Sequence, residues 1–131
     1  STSPYGHIED SFDICELAKA AGATYIARST TYHINSTIRY LEKAIKHKGF
    51  SVVDVICDCP TLFGRFNKLG DVTQMMLKQK EQAIQCKKAQ KMSPEDLEGK
   101  IIIGELYENT QKLEYTDAYQ KIIEKAQKEG K

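Results

Sequence analysis

The chain has 131 residues, and its 19 basic and 18 acidic side chains leave a formal net charge of +1. This length is sufficient for one domain with a modest core. The balanced charge excludes a strong electrostatic field, so we expect neither a nucleic acid nor an anionic membrane as a partner. No apolar run is long enough to cross a bilayer, and the first ten residues lack the pattern of a signal peptide.

Four cysteines stand at irregular positions, at residues 15, 57, 59 and 86. They do not resemble the disulfide framework of a small secreted protein. We therefore expect reduced thiols and a cytoplasmic location.

The first half of the chain alternates helix and strand signals. Ser11 or Asp13 can cap a first helix that Gly22 ends, and residues 24–28 have the β-branched and aromatic content of a short strand. A second helix follows, ended by Gly49. Its apolar positions recur at helical spacing and predict an inward stripe; they are Ile34, Ile38, Leu41 and Ile45.

Residues 51–57 form the best strand signal, and their nearly continuous apolar character predicts burial on both faces, as in a parallel sheet. An irregular loop over 58–70 follows, and then a long polar helix over 71–91. Ser93 and Pro94 are typical of a helix start. Residues 101–103 predict a brief strand, and Thr116 can cap a last helix. We expect four residues to face inward on that helix: Tyr119, Ile122, Ile123 and Ala126.

This order of elements predicts an α/β fold with a partial parallel sheet flanked by helices. Only two of the strands are convincing, and a parallel sheet that small leaves its edges and faces poorly covered. We therefore expect the sheet to continue in residues outside this chain or in a partner. The whole of 1–131 is interpreted as one partial domain with a C-terminal extension from about residue 90.

The Cys57-x-Cys59-Pro60 segment is the main candidate for chemistry. It leaves a buried strand and enters a loop, which is where parallel α/β sheets place their sites. Thiolates there can bind a metal or an iron–sulfur cluster. The alternative is that these cysteines behave as small apolar groups, or that they serve thiol–disulfide chemistry. Cys15 is expected in the core and Cys86 on the surface.

Three other residues have both a functional and a structural interpretation. His33, at a helix start after a strand, can contact an anion or can cap and pack. Arg28 and Arg65 can hold a carboxylate or phosphate, or can be structural. The sequence contains no glycine-rich phosphate loop and no readable catalytic triad. No catalytic residue is predicted.

Several short segments of the sequence, taken in order, resemble the β subunits of 2-oxoacid:ferredoxin oxidoreductases. They are Ser3-Pro4-Tyr5-Gly6, Gly22-Ala23-Thr24-Tyr25-Ile26-Ala27-Arg28, Thr31-Tyr32-His33, Lys48-Gly49-Phe50-Ser51 and Cys59-Pro60-Thr61-Leu62-Phe63-Gly64-Arg65-Phe66-Asn67, and more loosely Gly104-Glu105-Leu106-Tyr107. The segment from Cys59 to Asn67 is more similar to the 2-oxoglutarate branch than to the pyruvate branch.

The resemblance implies the C-terminal part of a thiamine-diphosphate-binding fold. It also implies oxidative decarboxylation of 2-oxoglutarate to succinyl-CoA, with electrons passed to ferredoxin. The implied cofactors are thiamine diphosphate, Mg²⁺ and a 4Fe–4S cluster. The implied partners are the α subunit and other subunits, ferredoxin, coenzyme A and the 2-oxoacid, with no nucleic acid and no membrane.

The resemblance also assigns site residues. Cys59 matches a cysteine that holds the cluster, whereas Cys57 matches no ligand. Thr2, Tyr5 and Gly6 match the end of the loop that lines the cofactor pocket. The Gly-Asp-Gly motif for metal and diphosphate and the other cluster cysteines are absent from these 131 residues. The chain alone is therefore expected to be inactive. The alternatives are a subunit of the pyruvate type and a non-catalytic α/β binding module.

Overall fold

The computed structural model describes residues 5, 6, 8, 9 and 11–129. Its elements are, in order, α1 (Ile14–Ala20), β1 (Tyr25–Thr30), a 3-10 turn (Thr31–His33), α2 (Ile34–Lys46), β2 (Ser51–Ile56), a π-helical turn (Pro60–Gly64), α3 (Val72–Gln82), β3 (Ala83–Gln85), α4 (Cys86–Ala89), α5 (Pro94–Leu97), β4 (Ile101–Glu108) and α6 (Tyr115–Glu129). Within this described part, no helix is both long and apolar enough to cross a bilayer.

One open sheet organises the fold, with its strands in the order β2-β1-β4-β3. The β1–β2 pair is parallel, as expected. The β3–β4 pair, which the sequence did not predict, is also parallel, whereas β4 runs antiparallel to β1. The register of β1 against β4 shifts between Ile26 and Ala27. The α/β class and the flanking helices are confirmed, and the sheet is mixed rather than wholly parallel.

The core lies on both faces of β1. On one face Ile26 packs with Cys15 and Ala18 of α1. On the other face Tyr25 and Ala27 pack with Tyr40 of α2. The side chains of Tyr25 and Ala27 are completely buried and that of Ile26 is 1% exposed, so both faces of β1 are covered by helices.

Helix α1 is fixed to the sheet by a half-buried arginine. Asp13 caps α1 by accepting from the amides of Cys15 and Glu16. Its carboxylate also pairs with Arg28 of β1 at 2.7 Å, and Arg28 pairs with Asp54 of β2 at 2.8 Å. The hydrogen bond from Arg28 lowers the pKa of Asp13. Burial opposes the charge on Arg28, but the two carboxylates raise its pKa above the ordinary value. Arg28 is therefore structural.

Strand β2 lies at an edge of the sheet, so the prediction that both its faces are buried was wrong. Its residues are only partly buried, and Val55 is exposed. A nearly continuous apolar run predicts burial on both faces, but composition alone does not distinguish an edge strand from a central one. In the described chain β1 is the only neighbour of β2.

The apolar stripe of α2 faces outward rather than inward. Ile34, Ile38 and Leu41 are 56%, 48% and 44% exposed, and Ile45 is exposed as well. The buried residues of α2 are instead Thr37 and Tyr40. Helix α2 therefore packs on the sheet through a different face, and its most apolar face meets solvent.

The second half of the chain departs further from the prediction. The long helix expected over 71–91 is interrupted by β3, which pairs with the first residues of β4 and buries Ile84. Strand β4 is longer than expected and extends to Glu108. In α6, Tyr119 and Ile122 are exposed, and none of its described residues is buried. The inward face predicted for α6 was therefore wrong.

These outward faces give the chain a large surface. Its accessible area is 10157 Å², whereas a compact monomer of 14.8 kDa exposes about 7,000 Å².

Candidate functional site

The cysteine loop leaves the sheet at the carboxyl end of β2. Cys57, Asp58 and Cys59 follow the last residue of that strand directly, and the π-helical turn begins at Pro60. Because β1 and β2 are parallel and in register, the turn after β1 (Thr31–His33) lies at the same edge. This edge is where parallel sheets bind ligands. We refer to the cysteine loop and the Thr31–His33 turn together as the strand-end site.

Cys59 is exposed and stands at the N-cap of the π-helical turn. Its sulfur is 3.6 Å from the Thr61 hydroxyl. The hydrogen bond with Thr61 and the nearby backbone amides of Leu62 and Phe63 lower the pKa of the Cys59 thiol. A thiolate is the form of cysteine that binds metals, and amides at a helix start favour it. Cys59 therefore has the chemistry of a metal or cluster ligand.

Gln79 of α3 connects the two halves of the strand-end site and was not among the residues predicted from the sequence. Its amide nitrogen donates to the Asp58 carboxylate at 2.7 Å. Its carbonyl oxygen accepts from the Tyr32 amide, 3.1 Å away, and from the Thr31 hydroxyl at the same distance. The side chain is only 3% exposed. The available signal was its position four residues after Met75, on the buried side of α3.

A cleft of about 260 Å³ lies between the cysteine loop and α3. Asp58, Phe63, Met75 and Gln79 are among its lining residues, and Lys78 stands at the same cleft. The cleft is small for a complete cofactor, since pockets for such ligands usually measure about 300–1,000 Å³. It therefore forms at most part of a larger site.

His33 has the packing role rather than an anion-binding one. Its Nδ1 lies 2.8 Å from the Thr30 hydroxyl, and its ring meets Tyr32 edge-on. Burial lowers the pKa of His33, which favours the neutral ring. Arg65 is exposed and lies over the Phe66 ring, with 5.1 Å between its guanidinium carbon and the ring centre.

The other cysteines are placed as follows. Cys15 is buried, as predicted, and burial raises the pKa of its thiol to about 11. Cys57 is exposed, so it is not part of the apolar core. Cys86 is half-buried rather than a surface thiol, and its sulfur donates to the Glu105 carbonyl oxygen at 3.3 Å.

The residues that the resemblance assigns to the cofactor pocket lie near the start of the chain. Thr2 lies outside the described residues. The Tyr5 side chain is fully exposed, and Gly6 has a φ of +87° with open space around its Cα. Nothing in the described chain surrounds these two residues, so their role stays a prediction.

A complete metal site is not formed by the described residues. Over 5, 6, 8, 9 and 11–129, no group of three or more His, Cys, Asp or Glu side chains could hold a metal ion. Cys59 could supply one ligand, and any further ligands would come from elsewhere in the complete protein.

Comparison with known proteins gives one family match. The family described as "Thiamine pyrophosphate enzyme, C-terminal TPP binding domain" matches residues 1–55. This segment includes α1, β1, α2 and most of β2. The match covers the part of the chain that contains the best-packed core.

Two curated relatives match far more of the chain. The 2-oxoglutarate synthase subunit KorB of Methanocaldococcus jannaschii is 43% identical over 129 residues, which are 98% of this chain and 47% of the relative. The 2-oxoglutarate synthase subunit KorB of Methanothermobacter thermautotrophicus is 48% identical over 105 residues, which are 80% of this chain and 37% of the relative. The chain thus spans less than half the length of these relatives.

A solved structure has a similar fold. It is a 2-oxoglutarate:ferredoxin oxidoreductase from Magnetococcus marinus, solved with 2-oxoglutarate, coenzyme A and succinyl-CoA bound. The TM-score is 0.68 at 23% identity, and the match covers 96% of this chain and 43% of that one. At this identity the match concerns the fold alone.

Proposed function

Because the chain is a relative of 2-oxoglutarate synthase KorB subunits along nearly its whole length, we propose that it forms the C-terminal part of the thiamine-diphosphate-binding β subunit of a 2-oxoglutarate:ferredoxin oxidoreductase. The complete enzyme oxidatively decarboxylates 2-oxoglutarate to succinyl-CoA and passes electrons to ferredoxin. Thiamine diphosphate with Mg²⁺ and a 4Fe–4S cluster supply the decarboxylation and electron-transfer chemistry when bound.

In this proposal Cys59 is one ligand of the cluster. The observation that carries it is the position of the thiol: exposed, at the carboxyl edge of parallel strands, with a pKa lowered by Thr61 and by the amides of the turn. The remaining ligands are expected outside the described residues. Thr2, Tyr5 and Gly6 are proposed to line the thiamine pocket, completed by other parts of the enzyme.

The 131 residues are one partial domain in this proposal and are inactive by themselves. The outward apolar faces of α2 and α6 are consistent with a chain that is covered by further protein, namely the rest of the subunit and its α-subunit partner. We propose a cytoplasmic enzyme whose other partners are ferredoxin, coenzyme A and the 2-oxoacid.

The ligand assignment is tested by iron–sulfide reconstitution of the full-length β subunit under anaerobic conditions. Cys59→Ala is compared with Cys57→Ala, a matched control for an exposed thiol two residues away. We expect the visible absorption of the cluster to be lost in Cys59→Ala and retained in Cys57→Ala. A normal spectrum in Cys59→Ala would refute the assignment, and a loss only in Cys57→Ala would favour the other thiol of the loop.

The substrate is tested separately, with the intact multisubunit enzyme. Turnover with 2-oxoglutarate, pyruvate and other 2-oxoacids, measured by reduction of ferredoxin, is expected to be fastest with 2-oxoglutarate. Faster turnover of pyruvate would assign the protein to the pyruvate type. No turnover of any 2-oxoacid, together with no cluster, would favour a non-catalytic α/β binding module.

A further inference from the structure

Helix α3 contacts the cysteine loop on both sides of Cys59. Before the cysteine, Gln79 donates to the carboxylate of Asp58. After it, Met75 packs against Gly64, the last residue of the π-helical turn. Met75 and Gln79 are the two buried residues of α3. Its inward face is therefore devoted largely to this loop and to the turn after β1.

The side-chain amide of Gln79 links two different segments through its hydrogen bonds. Its oxygen accepts from Thr31 and Tyr32 in the turn after β1, and its nitrogen donates to Asp58 in the cysteine loop. Only a group with both an acceptor and a donor can satisfy both segments at once. Gln79 is buried and its partners are half-buried, so its loss would remove the hydrogen bonds that join these two segments.

The contact at Gly64 fixes the other end of the turn. A Cβ added at Gly64 would come within 2.5 Å of the Met75 sulfur, so a larger residue there would displace the Met75 side chain from its present position. The amide of Gly64 donates to the carbonyl oxygen of Cys59 at 2.9 Å. The backbone on the far side of Cys59 is therefore held against α3 as well.

We propose that Gln79 is a positioning residue for Cys59. Through Asp58 it fixes the start of the cysteine loop on the turn that follows β1, and so sets where the sulfur lies relative to the rest of the strand-end site. This inference rests on the proposed function for the meaning of the position, because a cluster shared among distant cysteines tolerates little displacement of one ligand. Gln79 itself touches neither cluster nor substrate.

The test uses three variants of the full-length subunit in its complex. Gln79→Glu keeps the acceptor for Tyr32 but places a carboxylate against Asp58. The swap Asp58→Asn with Gln79→Glu exchanges donor and acceptor and restores the pair at unchanged total charge. Gln111→Glu, in an exposed loop, is the matched control for adding a negative charge.

Two readouts are measured on each variant. The first is amide hydrogen exchange of the peptide that covers the cysteine loop, with the β1 peptide as an internal reference. The second is the electron paramagnetic resonance spectrum of the reduced cluster. For Gln79→Glu we expect exchange in the loop to accelerate roughly tenfold with β1 unchanged, and the spectrum to change its line shape. The swap is expected to restore both, and the control to alter neither.

Unchanged loop exchange in Gln79→Glu would overturn the proposal. So would equal acceleration in β1, which would indicate general destabilisation, or a swap that behaves no better than the single variant. Failure of the ligand assignment is recognised independently. In that case the Cys59→Ala subunit keeps its cluster, while loop exchange in Gln79→Glu still reports whether Gln79 holds the loop.

Discussion

Strand β1 and the outer face of α2 carry similar side chains in opposite surroundings. Ile26 in β1 is 1% exposed and packs against α1, whereas Ile38 in α2 is 48% exposed. The two residues belong to adjoining elements joined by a three-residue turn. The difference shows that this chain seals one strand completely and leaves the most apolar face of the following helix unpacked.

The ion pairs of these two regions also differ in how exposed they are. Arg28 joins the cap of α1 to β1 and β2, and its side chain is 14% exposed. Lys43 of α2 joins two carboxylates of β4, Glu105 and Glu108, at the surface. The interior of the fold therefore depends on contacts near β1, and the periphery is held by weaker ones.

The largest expected effect comes from truncating matched isoleucines. Ile26→Ala should lower the free energy of unfolding by about 2–5 kcal/mol, because it opens a cavity beside α1. Ile38→Ala should change it by less than about 0.5 kcal/mol, because that side chain already meets water. Urea unfolding of both variants measures the contrast. Equal losses of unfolding free energy would show that the outer face of α2 is packed and would contradict this contrast.

Removing the half-buried arginine should have the next largest effect. Arg28→Met leaves Asp13 and Asp54 without their cation, and we expect a loss of about 3 kcal/mol. Lys43→Met is the surface control and should cost less than about 1 kcal/mol. Both are measured by urea unfolding at neutral pH. A larger loss at Lys43 than at Arg28 would contradict the assignment of Arg28 as the structural cation.

The thiol of Cys15 should make the fold sensitive to alkali. Its pKa is raised from 9.0 to about 11 in the fold, so the folded state retains a proton that the unfolded state loses first. The stabilisation is complete below pH 9 and is lost as the pH rises towards 11. We expect a loss of about 2–3 kcal/mol across this range. In Cys15→Ala, urea unfolding at pH 9 and pH 11 should show a fall in the free energy of unfolding that is smaller by this amount. Cys57→Ala should show the same fall as the unmodified chain.

The smallest effect is expected from removing α6. A chain that ends after Glu114 loses a helix with no buried residues in the described part. Its free energy of unfolding should fall by less than about 1 kcal/mol, while circular dichroism shows the loss of helix. A fall of more than about 2 kcal/mol would show that α6 contributes to the core.

Much of the first half of the chain was predictable because its signals are local. Asp13 at the cap, Gly22 after the helix and the strand beginning near Tyr25 each depend on a few neighbouring residues. Cys59 was selected as the site residue through its motif, and its exposed thiol with a lowered pKa fits that choice. Gln79 was missed because its spacing from Met75 indicates only a shared side of α3, whereas its hydrogen-bond partners, Thr31, Tyr32 and Asp58, are distant in the sequence.

The second half was harder because its structure depends on distant pairing. Residues 83–85 have helix-forming neighbours on both sides, and they become a strand only because Ile101–Ile103 of β4 lies beside them. A hydrogen-bonded partner far along the chain overrides local helix propensity.

The sequence by itself determined the α/β class, the cysteine loop after β2 and the resemblance to 2-oxoacid:ferredoxin oxidoreductase β subunits. These follow from periodicity, capping residues and short motifs, which are properties of neighbouring residues. Only the tertiary structure decided that β4 pairs antiparallel with β1, that the α2 stripe faces solvent and that Gln79 joins Asp58 to the turn after β1. Those outcomes depend on which surfaces meet in space. Hydrophobic burial is non-directional and proportional to area, so an apolar stripe does not specify what covers it.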